Sequence, residues 1–287
     1  MNSSELERLV AEITAQLLIE LGTPCSCHAI AGGHCPDRLR SAVALGATRL
    51  GLHASSLHGR DLARYIDHTL LKQDASYSQI DRLCDEAAQF QFATVCIHPQ
   101  HVRRCAQRLA GTGVSVCTVV GFPLGSNVTD VKAYEARRAV FDGACELDMV
   151  INLSALKSGD DARVQEDIAS VVEAGHETGV LVKVILETAL LTDEEKRRAC
   201  RLARAAGADY VKTSTGFGPA GASEADVRLM REEVGTLLGV KAAGGIGDLE
   251  KARKMLASGA DRIGASAGVK IIQASLGQSA AGPAPSY

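Results

Sequence analysis

The sequence predicts a (β/α)8 TIM barrel, in which a closed parallel sheet is surrounded by helices, with an N-terminal helical extension before it. From about residue 60 onward, eight short runs rich in β-branched residues alternate with segments of helix length. Alternating strands and helices favour a parallel sheet, and eight such units favour its closure. Apolar residues make up 46% of the 287 residues, whereas aromatic residues make up 3% and tryptophan is absent. The core is therefore aliphatic, which is typical of such barrels.

The barrel is expected over residues 61–276, and a flexible tail over residues 277–287. The tail reads GQSAAGPAPSY, a composition typical of disorder. Three of the strands are preceded by a Gly-Ala pair, in the strings GACELDMV, GADYVK and GADRIG. These small residues let the end of a helix pack against the strand that follows. The predicted strands are Tyr65–Leu71, Phe92–His98, Ser115–Phe122, Glu146–Asn152, Leu181–Thr188, Asp209–Gly216, Val240–Ala243 and Asp261–Ala265.

Residues 1–22 are expected to form a separate amphipathic helix, and residues 23–60 a linker. Ser4 and Glu7 have the spacing of a capping box at a helix start. The apolar residues that recur at helical spacing are Leu6, Leu9, Val10, Ile13, Leu17 and Leu21. The side chains of the linker that are able to bind a metal are Cys25, Cys27, His28, His34 and Cys35. Their spacing does not match that of zinc sites, so we interpret them as a polar loop with free thiols.

Composition and charge exclude several classes of function. The formal net charge is −3 without a long block of one sign, so we expect neither nucleic acid nor an anionic membrane as partner. No apolar run reaches the roughly 18 residues that a transmembrane helix needs. The first residues lack the basic and apolar regions of a signal peptide. The nine cysteines do not form a small-domain disulfide pattern, which fits reduced thiols in the cytoplasm.

Charged residues occur within the predicted strands, where burial makes an unpaired charge costly. Because side chains alternate between the faces of a strand, Glu146 and Asp148 share one face of the fourth strand. Lys183, Lys212 and Lys241 lie in the fifth, sixth and seventh strands. These residues form either an internal ion-pair network that stabilises the barrel or part of an active site. Since a buried ion pair seldom adds net stability, we favour the catalytic interpretation.

A group of lysines has a specific use in carbonyl chemistry. An amine attacks a carbonyl only when it is unprotonated, and at an ordinary pKa near 10.4 less than about one part in a thousand is unprotonated at pH 7. Burial and a second ammonium nearby increase that fraction. One lysine is therefore expected to form a Schiff base while a neighbour activates it, and Asp148 is expected to transfer protons. The pattern alone leaves Lys183 a rival of Lys212 as the nucleophile.

Glycine-rich turns follow the last three predicted strands, at Thr213–Gly216, Gly244–Gly245 and Gly264–Gly268. Loops after strands seven and eight of such barrels often bind phosphate through backbone N–H groups. Glycines also serve simply to turn the chain, but three such turns at one rim favour a phosphate site. We therefore expect a small phosphorylated compound as the substrate.

Seven strings of the sequence resemble deoxyribose-phosphate aldolases, and they occur in that family's order over residues 62–275. They are YIDHTLLK, VCIHP, VVGFPLGSN, ELDMVIN, DYVKTSTGF, VKAAGGI and GADRIGASAG. The resemblance implies a class I aldolase that cleaves 2-deoxy-D-ribose 5-phosphate reversibly to D-glyceraldehyde 3-phosphate and acetaldehyde through a lysine Schiff base. It implies neither a metal nor an organic cofactor. We also expect a homo-oligomer, a dimer.

The resemblance assigns roles to individual residues. Lys212 in KTSTG matches the Schiff-base lysine, Lys241 in VKAAGG matches its electrostatic activator, and Asp148 in ELDMVIN matches the proton relay. It therefore decides between Lys212 and Lys183 as the nucleophile. The residues expected to bind the substrate are Asp67, Cys96, Lys183, Thr215, Gly216, Gly244, Gly245 and Ser266.

The sequence departs from the family pattern near the expected phosphate site. Many members carry arginine where Gly247 stands and a second serine where Ala267 stands, whereas Phe217 after KTSTG is a common variant. The loss of one cation and one hydroxyl predicts weaker binding of phosphate. The chain ends in Ser-Tyr, as some members do, and Tyr287 can fold over the active site, although a disordered end is the simpler expectation.

Residues 1–22 resemble the encapsulation peptides of bacterial microcompartment cargo, enzymes that often handle volatile aldehydes such as acetaldehyde. They would then contact the microcompartment shell. An equal alternative is a helix packed on the barrel or at a subunit interface. For the barrel, one alternative function is another Schiff-base aldolase of small aldehydes. A second is a non-catalytic cargo subunit, against which the intact Lys212, Lys241 and Asp148 argue.

Overall fold

The computed structural model describes residues 59–278, which contain a closed barrel of eight parallel strands. Each strand pairs with the next one along the chain, and the eighth pairs with the first. The predicted (β/α)8 fold is thus confirmed, and every predicted strand overlaps an observed one. The strands are β1 (Ile66–Leu70), β2 (Thr94–Ile97), β3 (Ser115–Val120), β4 (Glu146–Val150), β5 (Leu181–Ile185), β6 (Tyr210–Lys212), β7 (Gly239–Ala243) and β8 (Arg262–Ala265).

Helices connect the strands on the outside of the barrel. They are α1 (Gly59–Ala63), α2 (Tyr77–Phe90), α3 (Val102–Arg108), α4 (Thr129–Phe141), α5 (Leu153–Lys157), α6 (Asp161–His176), α7 (Asp193–Ala205), α8 (Glu224–Val234), α9 (Leu249–Ala257) and α10 (Gly268–Ser275). Short 3-10 turns occupy Pro99–His101 and Thr188–Leu190. Between residues 59 and 278, no helix combines the length and apolar character that crossing a membrane requires.

Polar side chains at the helix starts explain where several helices begin. Ser76 and Gln79 form a capping box at the start of α2, and Thr192 and Glu195 form one at the start of α7. Each box satisfies two N–H groups that the first turn of a helix leaves without a partner. These starts are therefore encoded locally in the sequence.

The core divides into an apolar layer and a charged interior because side chains alternate along each strand. In β4, Leu147 and Met149 belong to the large aliphatic core between sheet and helices. Glu146 and Asp148, on the opposite face, are also buried but meet charged groups from other strands across the barrel. The buried charges of the sheet are therefore concentrated in the interior of the barrel.

A buried ion pair joins two neighbouring helices outside the barrel. The Nζ of Lys132 in α4 lies 2.6 Å from a carboxylate oxygen of Asp167 in α6, and both side chains are fully buried. Lys132 also donates a 3.0 Å hydrogen bond to the carbonyl of Val150 at the end of β4. Thr129 donates to the second carboxylate oxygen of Asp167 at 3.1 Å. The pair thus ties α4, α6 and β4 together.

The first six strands end before the residue that the sequence predicts, by three residues in the fifth and by four in the sixth. The fifth was expected to reach Thr188 and the sixth Gly216, but β5 ends at Ile185 and β6 at Lys212. Glu187 and Gly216 have φ values of 53° and 88°, which no strand residue adopts. The fourth was expected to reach Asn152, but Asn152 instead caps α5 by accepting from the N–H of Ala155.

Some predictions fall outside the described residues. They concern the helix over residues 1–22, the cysteine and histidine residues between Cys25 and Cys35, and Tyr287. The expected tail is described only to Gln278.

Candidate active site

Asp148 is the centre of the buried charge cluster, because its carboxylate contacts three lysines. Its Oδ2 lies 2.8 Å from the Nζ of Lys212 and 2.7 Å from the Nζ of Lys241. Its Oδ1 lies 2.8 Å from the Nζ of Lys183. The four residues predicted from strand periodicity therefore meet at one point inside the barrel.

Strand register explains how these residues meet. Lys212 and Lys241 are paired neighbours in β6 and β7, so both point to the same height of the interior. Asp148 is paired with Lys183 in β4 and β5. Lys183 is paired with Tyr210 of β6, two residues before Lys212. It therefore lies deeper in the barrel than Lys212, toward the N-terminal ends of the strands.

A second layer of charges lies at that deeper level. The Nζ of Lys183 is 2.5 Å from a carboxylate oxygen of Glu146. Arg262 of β8 contacts Glu146 at 3.1 Å and Asp67 of β1 at 2.6 Å. The other oxygen of Asp67 lies 2.5 Å from the Nζ of Lys241. Asp67 thus connects the deeper layer to the lysines above it.

The cluster shifts the pKa values of its members. Burial alone would raise the pKa of Asp148 and Asp67, but the surrounding cations outweigh burial and hold both values well below the usual range. Burial alone would lower the pKa of Lys183 and Lys241, but the neighbouring carboxylates outweigh it and raise both. These four groups therefore keep their charges at neutral pH.

Two cysteines lie beside the cluster, on β2 and β3. Cys117 donates from its thiol to Asp148 at 3.2 Å and accepts from the Nζ of Lys183 at 3.3 Å. Its paired neighbour Cys96 is fully buried. The sulfur of Cys96 lies within 4.8 Å of the sulfur of Cys117 and of a carboxylate oxygen of Asp148. The apolar side chains that pack with these cysteines are Leu71, Val119 and Phe122.

The same thiol and carboxylate groups are close enough to hold a metal ion. Ammonium and guanidinium groups already contact the carboxylates of the cluster. A metal cation would have to enter among these positive charges and displace them, so the donor set fits a lysine site better than a metal centre.

The turns after β6 and β7 pack against each other. Gly244 and Gly245 have φ values of 91° and 69°, a region that favours glycine. A Cβ on Gly244 would lie 2.9 Å from the Cα of Gly221 and 3.7 Å from that of Gly216. Thr215 donates to the Glu187 carboxylate at the end of β5, which holds the turn after β6 in place.

The structure brings most of the predicted residues to this end of the barrel. Lys212, Lys241, Asp148, Lys183, Asp67 and Cys96 form one continuous cluster. Gly216 and Gly244 lie in the adjoining turns. Ser266 is an exposed residue directly after β8.

Four residues of the site were given no role of their own from the sequence: Glu146, Cys117, Glu187 and Arg262. Strand alternation placed Glu146 with Asp148 and Glu187 with Lys183. Arg262 is a charged residue within the predicted eighth strand, so the same argument could have found it. Cys117 carries no comparable signal, because its role depends on which strands meet across the barrel.

Comparison with known proteins places the chain among aldolases. Residues 62–274 match the family described as "DeoC/LacD family aldolase". The chain is 57% identical over 215 residues to "Deoxyribose-phosphate aldolase" of Streptococcus pneumoniae serotype 19F (strain G54), a match that covers 75% of this chain and 97% of that protein. It is 54% identical over 213 residues to the protein of the same name from Geobacillus sp. (strain WCH70), covering 74% and 95%.

Solved structures agree with this placement. The structure described as "QR15, an Aldolase" superimposes with a TM-score of 0.72 at 41% identity, covering 76% of this chain and 96% of that one. The structure described as "Unique tetrameric structure of deoxyribose phosphate aldolase from Aeropyrum pernix" has a TM-score of 0.71 at 34% identity, covering 75% and 91%.

Proposed function

Because the chain belongs to the DeoC/LacD family of aldolases, we propose that it cleaves 2-deoxy-D-ribose 5-phosphate to D-glyceraldehyde 3-phosphate and acetaldehyde. We propose that the reaction proceeds through a Schiff base on Lys212. Relatives that share more than half of the aligned residues bear the name of this activity. The match covers nearly their whole length, so it includes the complete barrel.

The observation that carries the assignment to Lys212 is its place in the lysine cluster. Its side chain is 3% exposed, against 0% for Lys183 and 1% for Lys241. Lys212 has one carboxylate within ion-pair distance among residues 59–278, whereas each of the other two lysines has two. Lys212 is therefore the lysine of the three with the fewest carboxylate contacts, and its side chain is the least enclosed.

The charges of the cluster point the same way. Its cations are Lys183, Lys212, Lys241 and Arg262, and its carboxylates are Asp67, Glu146 and Asp148. Four positive charges face three negative ones, and burying an excess charge is costly. Loss of one proton from a lysine balances the cluster and provides the free amine that attack on a carbonyl requires.

The reaction then follows from the chemistry of an amine beside a carboxylate. The Nζ of Lys212 attacks the C1 aldehyde of the open-chain sugar, and loss of water from the carbinolamine gives the imine. Removal of the proton from the C3 hydroxyl breaks the C2–C3 bond. Its electron pair moves into the imine, which becomes an enamine, and glyceraldehyde 3-phosphate leaves. Protonation at C2 and hydrolysis release acetaldehyde and restore Lys212.

Asp148 is the residue placed to move these protons. Its carboxylate lies 2.8 Å from the Nζ of Lys212, within hydrogen-bond reach of the atom at which the carbinolamine and the imine form. The cations around it lower its pKa. It is therefore ionised and ready to accept a proton when the substrate arrives.

The test is to trap the imine. Wild-type protein is incubated with acetaldehyde, reduced with borohydride and digested, and the modified lysine is located by mass spectrometry. We expect an ethyl group on Lys212, none in Lys212→Met, and unchanged labelling in the control Lys254→Met, whose lysine lies on the surface. Modification of Lys183 instead of Lys212, or substantial aldol activity in Lys212→Met, would contradict the assignment.

A panel of aldehydes tests the main alternative, another Schiff-base aldolase on the same scaffold. The proposed function predicts acetaldehyde as the preferred donor and glyceraldehyde 3-phosphate as the preferred acceptor. A clear preference for another donor would keep the Schiff base but change the reaction.

We also propose that the protein forms a homodimer through α4. Apolar side chains along this helix are exposed, with fractions of 48% for Val131, 71% for Tyr134 and 75% for Phe141. Asp130 lies at the start of the helix and Arg138 near its end, so two antiparallel copies would match opposite charges. Light scattering should give a dimer for wild type and a monomer for Tyr134→Glu, whereas the control Leu237→Glu, at a 68% exposed leucine, should stay dimeric.

For location, we propose the cytoplasm, with residues 1–22 as an encapsulation peptide for a bacterial microcompartment. The support is the capped amphipathic pattern of this segment and the volatility of acetaldehyde. Deletion of residues 1–22 should leave aldolase activity intact and abolish recruitment to a shell. Loss of folding in the truncated protein would assign the segment to the enzyme itself.

A further inference from the structure

Lys251 is a half-buried lysine that reaches back over the start of α9. It is the third residue after Asp248, which caps the helix by accepting from the backbone N–H of Lys251 at 2.8 Å. Side chains on a helix lean toward its N-terminus. The Nζ of Lys251 accordingly lies 3.4 Å from the point that a Cβ on Gly245 would occupy. The ammonium therefore rests against the turn after β7.

This turn offers donors that have no partner. The backbone N–H groups of Gly245, Ile246 and Gly247 form no hydrogen bond within residues 59–278. Successive free N–H groups in a turn of this kind form a concave site for an anion. A side chain at position 247 would also have open space, since no atom lies within 4 Å of an ideal Cβ there.

We propose that Lys251 supplies the cation that binds the phosphate group of the substrate, in place of the arginine that Gly247 lacks. The inference rests on the proposed function for the identity of the substrate. It assigns the role to a residue of α9, whereas the family pattern would have the cation in the turn itself. A phosphate at the turn would then contact both the free N–H groups and the ammonium.

Other lysines near this rim are less suited. Lys254 is one helical turn further along α9, and its Nζ lies 2.6 Å from Glu250. Lys270 is exposed on α10. Lys251 has no ion-pair partner in the described part of the chain, although Glu224, Asp248 and Glu250 border the same groove. A bound phosphate must therefore compete with these carboxylates for the ammonium.

The experiment compares kcat/KM for deoxyribose 5-phosphate and for free deoxyribose in wild type and Lys251→Met. Loss of one charge-assisted contact should lower kcat/KM for the phosphorylated sugar about ten- to a hundredfold, mainly through KM. The value for free deoxyribose should change less than about twofold, because that sugar has no group for the cation to bind. Lys254→Met and Lys270→Met serve as matched controls and should keep the preference of wild type.

A rescue variant separates this role from a structural one. Gly247→Arg in the Lys251→Met background should restore most of the lost preference, because it returns a cation to the same turn. An unchanged preference in Lys251→Met, or a loss in Lys270→Met instead, would overturn the inference.

Inorganic phosphate provides a readout that does not depend on the reaction. Calorimetric titration with phosphate should show weaker binding to Lys251→Met than to wild type, and equal binding to both would count against the role of Lys251. If wild type binds phosphate through Lys251 but cleaves neither sugar, the proposed function fails while this assignment stands.

Discussion

Lys241 contacts the carboxylates of Asp67 and Asp148, and its side chain is buried away from solvent. Asp148 and Asp67 raise its pKa above the ordinary value against the effect of burial, so its charge persists through neutral and moderately alkaline pH. The permanent ammonium of Lys241 disfavours a second positive charge next to it, at the end of the Lys212 side chain. Lys241 is in this interpretation a fixed charge, whereas Lys212 performs the covalent chemistry.

Lys241→Leu should therefore lower kcat/KM by about a hundredfold or more, the range expected when a group that supports proton transfer is lost. The pH at which activity rises should move upward by about one unit or more, because the free amine becomes harder to form. The measurement is kcat/KM between pH 6 and pH 10 (roughly the range in which such amines titrate). An unmoved profile would remove the electrostatic role, and Lys254→Leu provides the control for loss of a surface lysine.

At the level of single residues, the sequence predicted which charged side chains meet inside the barrel but not how far each is enclosed. Strand alternation brought Asp148 and the three lysines to one interior. It could not rank Lys183 against Lys212, because the difference lies in contacts with Glu146 and Cys117. Those contacts depend on the stagger of the strands around the barrel, which the order of residues does not reveal.

At the scale of elements, the sequence pattern gave no sign of the buried ion pair between α4 and α6. Lys132 and Asp167 are 35 positions apart, and both lie in helices whose patterns suggest ordinary charged surfaces. Their burial follows from how the two helices pack over β3 and β4. The strands themselves were predicted well, since each is a short aliphatic run between helices. Their ends were not, since the turn conformations at Glu187 and Gly216 and the helix cap at Asn152 do not show in the strand pattern.

Lys132→Met should reduce the free energy of unfolding by about 3–5 kcal/mol, because it leaves the Asp167 carboxylate buried without a counter-charge. The double variant Lys132→Met/Asp167→Leu should recover much of that loss, since no charge then remains uncompensated. Urea unfolding of the two single variants and the double variant measures the coupling. If the loss of unfolding free energy in the double variant equals the sum of the losses in the two single variants, the two side chains stabilise the fold independently.

At the scale of the whole molecule, the depressed pKa values of Asp67 and Asp148 make stability depend on acid. A carboxyl whose pKa is lower in the folded state stabilises the fold fully above its unfolded pKa, near 4. That contribution is lost as the pH falls toward the lowered folded value. The fold should therefore weaken below about pH 4, even though its helices and strands are unchanged.

Asp67→Asn should show this effect by difference. Its loss of unfolding free energy relative to wild type should be largest near pH 6 and should shrink as the pH is lowered to about 3.5, where the wild-type carboxyl begins to lose its advantage. Urea unfolding at a series of pH values provides the curve. Asp74→Asn, at an exposed aspartate, should differ from wild type by a constant small amount, and a parallel course for both variants would refute the linkage.

The enclosure of Lys183 has a consequence for the exchange of its protons. Its ammonium has three N–H bonds and three acceptors, at 2.5 Å on Glu146, 2.8 Å on Asp148 and 3.3 Å on Cys117, and its side chain is fully buried. Water cannot reach these protons without opening the barrel, so they should exchange slowly enough to give sharp ammonium signals in nitrogen-correlated NMR spectra at neutral pH. Surface lysines such as Lys254 should give none under the same conditions. The survival time of the Lys183 signal would then report how often the interior of the barrel opens to solvent.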